Sequence, residues 1–224
     1  MQLQLGRIRI RVTATNMLVA VATLVSLAIT LVQMEADATL GAGFLPARVG
    51  GADLPADWWS VPVWLTPISA TMVHIGIAHL AINMVLLLLT GRVVERLLGP
   101  AFTLALYGIG AYVAAAAQWG YAQWLPNGDP ASVMVGASGA ISTIVGAWAM
   151  LNLRSRKPAS RPGPASYVDV AWLILLWALL NLGLSLTIPA GLFAWAAHVA
   201  GFAFGVALAR PLLRLRYRKG LRAA

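Results

Sequence analysis

An all-α membrane protein built as a bundle of six transmembrane helices is the fold class this sequence predicts. Three observations carry that expectation. Of 224 residues, 60% are hydrophobic and only 10% are charged, whereas a soluble domain of this length carries about 25% charged residues. The apolar residues gather into six runs, at 17–34, 75–89, 101–119, 138–153, 170–186 and 194–213, parted by connections bearing Pro, Gly or charge. The basic residues then fall on one side of those runs. With the amino terminus inside and six crossings, every Lys and Arg except Arg48 lies on the inner side: Arg7, Arg9, Arg11, Arg92, Arg96, the cluster from Arg154 to Arg161, and the tail from Arg210 to Arg222. That is the asymmetry expected of cytoplasmic connections.

The runs divide the chain into a basic cytoplasmic segment at 1–16, a membrane domain at 17–213 and a basic tail at 214–224. The first run follows basic residues as a signal peptide would. No small-residue cleavage site comes after it and five more runs do, so it reads as a helix. The second run begins the first outside-to-inside return. Between them, an outer connection of roughly 35–65 holds Trp58, Trp59 and Trp64 among prolines, an arrangement suited to the membrane interface. The net charge of +9 needs no nucleic acid, because juxtamembrane Lys and Arg are held by anionic lipids. Cysteine is absent, which excludes thiolate chemistry, disulfides and Cys-based metal sites.

Polar residues inside the spans narrow the function. All three histidines, His74, His79 and His198, lie in or at the mouths of apolar runs, where polar groups are costly and tend to face a bundle interior or a wet cavity. His79 and Asn83 are four apart, on one helix face, with His74 in the approach. His198 is followed by Gly201 and Gly205, small residues that let another helix come close. Ser138 opens the fourth run between Gly136 and Gly139, glycines that would let backbone approach a substrate. Runs two, four and six share one direction, and His79, Asn83, Ser138 and His198 all fall early in theirs, so they are expected at one depth near the outer leaflet. Only sixteen residues separate Ser138 from Arg154, fewer than the roughly 20 of a full crossing. The loop before Ser138 is therefore expected to dip into the membrane and to line a water-accessible cavity.

The chemistry open to that set is serine nucleophilic catalysis. A serine hydroxyl needs a neighbouring base, for which His198 is the candidate. No acid is placed to complete a triad, since Asp169 and Glu95 lie toward the inner side, and a Ser–His dyad is what remains. The Ser138 backbone N–H, the Asn83 amide and the His79 ring could stabilise charge on a substrate oxygen. Neither metal nor organic cofactor is indicated, because no carboxylate stands near the histidines.

These residues resemble a known family. HIGIAHLAIN at 74–83, GRVVERLLG at 91–99 with Gly91 and Glu95, GASG at 136–139 and AHVAGFAFG at 197–205 match, in order and spacing, the rhomboid intramembrane serine proteases. The resemblance implies a six-helix bundle in which Ser138 is the nucleophile and His198 its base, with Asn83 and His79 in or beside the oxyanion hole and His74 in a supporting place. It further implies cleavage of transmembrane segments of other membrane proteins near their outer ends, at small residues in helices that unwind easily, and a first connection lying partly in the membrane. The expected setting is a multi-pass protein of a bacterial cytoplasmic membrane with both termini cytoplasmic, its partners being transmembrane substrates and membrane lipids. Two positions depart from the pattern. Leu65 follows Trp64 where the family often has Trp-Arg, and Ser142 stands where many members carry a tyrosine that stacks on the catalytic histidine. His198 is then expected to be oriented by other means, such as a hydrogen bond. A rhomboid-fold protein that binds transmembrane clients without cutting them is the alternative, and its mark would be loss of Ser138 or His198; neither is lost. A transporter or channel would show inverted repeats or polar residues through the full depth, and neither pattern is apparent.

Overall fold

Helix ends in an apolar exterior need partners for their unpaired backbone groups, and the first long helix, α1 (Ala14–Leu31), shows how this chain provides them. Thr13 caps it by accepting from the Asn16 N–H at 3.1 Å. The next two donors go to a carboxylate from elsewhere: Ala14 N–H and Thr15 N–H each donate to Glu95 at 2.8 Å, and the Thr15 hydroxyl donates at 2.6 Å. Gly91, one turn before Glu95, leaves the room this requires, since a Cβ there would lie 2.9 Å from Thr15 Cγ2. A negative side chain at a helix amino terminus also meets the positive end of the helix dipole. The computed structural model describes residues 13–55, 57–126, 128–155, 167–185 and 194–221, so the amino-terminal arginines and the Arg156–Arg161 stretch lie outside the described residues.

The connection after α1 is itself partly helical. It holds α2 (Glu35–Ala42), α3 (Pro46–Val49) and α4 (Thr66–Ser69), the last flanked by single 3-10 turns at Val63–Leu65 and Ala70–Met72. Alanine-rich sequence with Glu35 and Asp37 in the first turn favours α2, and Thr30 ties it to α1 by donating to Glu35 at 2.6 Å. Arg48 donates back to the Val61 carbonyl at 3.1 Å. Phe44 and Met134 exchange two backbone hydrogen bonds, of 2.9 and 2.8 Å, as an antiparallel bridge. The connection is thereby laced to the segment that precedes Ser138. Trp58, Trp59 and Trp64 are exposed.

Five further long helices follow: α5 (Gly76–Leu98), α6 (Pro100–Trp124), α7 (Ser138–Ser155), α8 (Tyr167–Ser185) and α9 (Trp195–Leu221). Gly99, at φ +88°, ends α5, and Pro100 begins α6 at the position where its missing N–H costs nothing. Both α5 and α9 outrun their apolar stretches, α5 past Glu95 and Arg96 and α9 through Pro211 to Leu221. Among the described residues, α1, α5, α6 and α9 are long and apolar enough to cross a membrane. Four of the six runs read from the sequence therefore stand on length and composition among the described residues. α8 is an apolar helix across Val168–Asn181, the part of it whose side chains are described, and α7 is diluted by Ser138, Ser142, Thr143 and Asn152.

That dilution reflects where α7 sits. Every residue from Gly139 to Ala147 is buried, and Ile141 and Ile144 join Leu87, Val94, Leu98 and Leu106 at the centre of the core. A central helix can be polar where lipid never reaches it. The outside is the reverse: Leu24, Leu31, Ile82, Leu89, Leu176 and Leu180 are all exposed. An exterior this apolar suits lipid as the solvent.

α7 and α9 cross at backbone distance. A Cβ on Gly201 would meet the Gly139 carbonyl at 2.5 Å, one on Gly205 would overlap the Thr143 carbonyl, and one on Gly146 would overlap the Phe202 backbone. The partners advance together along both helices, so the two run in the same direction.

Glu95→Ala strands the Ala14 and Thr15 donors and is expected to cost about 1–3 kcal/mol. Thermal unfolding in detergent should show the loss. A melting temperature matching that of Glu35→Ala, which gives up the single bond from Thr30, would contradict the capping role.

Candidate active site

Ser138 is the first residue of α7, so its N–H belongs to the turn that has no acceptor within the helix. The chain reaches it through Gly136, at φ +98°, whose N–H donates to the Ala70 carbonyl at 2.9 Å. A Cβ at Gly136 would lie 2.6 Å from His79 Cε1, so the histidine ring rests on bare backbone there. Glycine is required twice over at this position, by dihedral angle and by space.

His198 stands in the first turn of α9 and is buried. Its Nε2 lies 2.7 Å from Ser138 Oγ. Its Nδ1 lies 2.9 Å from Oδ1 of Asn181, on α8. The same helix holds the histidine's backbone, because Trp177 Nε1 donates to the His198 carbonyl at 3.1 Å while its ring stacks on Phe202 at 4.8 Å between centroids. Ser142, the residue at the departure from the family pattern, donates to the Ser138 carbonyl at 2.8 Å.

The other two histidines form a second cluster beside the serine. His74 is buried, with Nδ1 2.9 Å from Ser26 Oγ and Nε2 accepting from the Ala137 N–H at 3.3 Å. Ser26 donates its own proton to the Met72 carbonyl at 2.8 Å, so Nδ1 is the protonated nitrogen of His74 and the bonds form one consistent relay. The ring ties α1, the turn at Ala70–Met72 and the approach to Ser138. His79 is half-buried and meets His74 edge-on at 5.1 Å. Asn83 is buried one turn further along α5 and gives one amide hydrogen to the His79 carbonyl at 2.9 Å.

The sequence-derived set therefore resolves into a direct Ser138–His198 contact, a His74–His79 pair against Gly136 and Ala137, and Asn83 beneath His79. Gly201 and Gly205 do admit a neighbouring helix, and it is α7. At Gly139 the place of a side chain is taken by neighbours, since a Cβ there would lie 2.7 Å from Ala114 Cβ and 3.8 Å from Ala197 Cβ, so this glycine serves packing against α6 and α9. The hydrogen bond expected to orient His198 comes from Asn181, an amide that occupies the place an acid holds in a triad. A search for a third group among carboxylates passes over it. The signal that finds it is the one that found Asn83, an amide within an apolar run.

A hydroxyl 2.7 Å from an imidazole, at a helix amino terminus with free N–H donors, is the arrangement serine nucleophiles use. A family model described as Rhomboid domain matches residues 58–215, which include every one of these groups except Ser26. Comparison with curated proteins gave no match.

Gly136→Ala places a Cβ in the strained region and against His79 together, whereas Gly51→Ala, at φ +92° with open space, meets only the first problem. The strain costs about 1–3 kcal/mol in each. Thermal unfolding is expected to show Gly136→Ala as the less stable of the two; equal melting temperatures would mean that the His79 contact is slack.

Proposed function

The chain belongs to the rhomboid family, whose domain spans residues 58–215, and we propose that it is an intramembrane serine endopeptidase. The observation that carries this reading is the 2.7 Å contact between Ser138 Oγ and His198 Nε2. It acts on peptide bonds in or near transmembrane segments of other membrane proteins. In this reading α1, α5, α6, α7, α8 and α9 all cross the bilayer as one domain over 17–213, with 1–16 and 214–224 as basic cytoplasmic flanks. The Ser138 end of α7 lies toward the outer leaflet, and the inner Arg and Lys residues contact anionic lipid.

In the first step Ser138 Oγ attacks the scissile carbonyl carbon as its proton passes to His198 Nε2. Charge builds on the carbonyl oxygen, where the Ser138 N–H, the second amide hydrogen of Asn83 and the His79 ring are the donors. Collapse of the tetrahedral intermediate breaks the C–N bond, and His198 returns the proton to the departing amine. Water then attacks the acyl-enzyme with the same imidazole as base, releasing the new carboxyl terminus and free Ser138. His74 holds the backbone at Ala137, so it fixes the approach to the nucleophile without touching substrate.

Purified protein reconstituted in liposomes with a single-span substrate tests this. Wild type should cleave, and Ser138→Ala and His198→Ala should each lose about three orders of magnitude or more in turnover. A serine-directed fluorophosphonate should label wild type and fail to label Ser138→Ala. Equal cleavage by all three proteins would overturn the mechanism.

A further inference from the structure

We propose that Asn181 is a positioning residue that holds His198 in its base-competent tautomer, a role that rests on the protease reading above. The amide sits on α8, buried, with Oδ1 2.9 Å from His198 Nδ1. Asn oxygen and nitrogen are assigned from their partners, and here the partners decide. Asn181 Nδ2 donates to the Trp177 carbonyl at 2.8 Å, one turn back on the same helix. Turning the amide over would set its oxygen against that carbonyl, two acceptors face to face, and leave a donor facing Nδ1. With Nδ2 engaged, Oδ1 must face the imidazole, and an amide oxygen only accepts. The proton on neutral His198 is therefore on Nδ1. Nε2 is left with its lone pair toward Ser138 Oγ, which donates to it across 2.7 Å.

The wrong tautomer would present an Nε2–H to the serine and could take no proton from it, so tautomer choice separates a base from a bystander. α8 sets this choice from two points one turn apart, since Trp177 holds the His198 carbonyl while Asn181 holds the ring. Ser142 spends its hydroxyl on the Ser138 carbonyl and so brings no aromatic face to the imidazole. A neutral amide also suits the place. A buried carboxylate would need charge compensation, whereas an amide satisfied at both ends costs little.

Two measurements test the assignment. The protein has three histidines, so ¹⁵N-histidine spectra in detergent, at a pH where the ring is neutral, can be assigned with His74→Ala and His79→Ala variants. His198 should show Nδ1–H in wild type and a shift toward Nε2–H in Asn181→Leu, which keeps the side-chain size and removes the acceptor. In parallel, fluorophosphonate labelling of Ser138 should slow by at least about 10-fold in Asn181→Leu, because the wrong tautomer leaves the serine without a base, and should recover in part in Asn181→Asp, which restores the acceptor without the donor to Trp177. An Nε2–H tautomer in wild type overturns the proposal without any variant. Labelling of Asn181→Leu at the wild-type rate also overturns it. So does equal loss in Leu and Asp variants with the Nδ1–H signature unchanged, the result of a packing role alone. Failure of the protease reading itself appears elsewhere, as cleavage that survives Ser138→Ala and His198→Ala.

Discussion

The close crossing of α7 over α9 is the constraint from which the site follows. Gly201, Gly205 and Gly146 bring the two helices to backbone contact, and Ser138 and His198 stand at the end of that crossing on helices running the same way. Apolar side chains cannot drive such an approach in lipid, where the surroundings are as apolar as the helix face, so the small residues and the dispersion contacts they permit must do it. The distance between hydroxyl and imidazole is then set by rigid elements, which hold a geometry more closely than loops do. Gly139 extends the same logic to α6 through Ala114.

Polar groups in the bundle follow a shared pattern. Asn83 donates to the His79 carbonyl, Asn152 to Trp148, Asn181 to Trp177, Thr90 to Leu86 and Thr103 to Gly99, each one turn back. Such a bond satisfies the side chain inside its own helix before any neighbour is involved, so burial carries little penalty. In the two asparagines nearest the histidines it also fixes which way the amide points. Asn181 then offers oxygen to His198, and Asn83 keeps one hydrogen beyond the His79 carbonyl. Orientation at the site is thus inherited from helix geometry.

The long helices and the Ser138–His198 pair were legible in the sequence because both leave signals that composition exposes: long apolar runs, and the few polar residues within them. The helices α2, α3 and α4 were not. They are short, and they stand on contacts made after folding, such as Gly41 against Trp59 and Phe44 paired with Met134. Helix ends were misjudged where charge begins before the helix stops, at Glu95 and Arg96, because a charged last turn ends an apolar run without ending the hydrogen bonding. Glu95 carries more than its place in a motif implied, since only the fold brings it to the start of α1, 80 residues away from Thr15. Asn181 escaped for a different reason: it lies late in the fifth run, and a helix of opposite direction brings that end beside the early turns of α7 and α9.

The helix that orients His198 is also one with a large apolar face of its own. α8 packs chiefly on α9, and Trp172, Leu175, Leu176, Leu179 and Leu180 are exposed. Its seat near the site is the Trp177–Phe202 stack and the indole bond to the His198 carbonyl, contacts worth about 0.5–1.5 kcal/mol each. Asn181 sits one turn from that seat, so the bond to Nδ1 exists only while α8 is docked. The side chains that fasten this helix and the one that sets the imidazole proton form a single unit. A shift of α8 away from α9 would release the base before it disturbed Ser138, whose place depends on α6, α7 and α9.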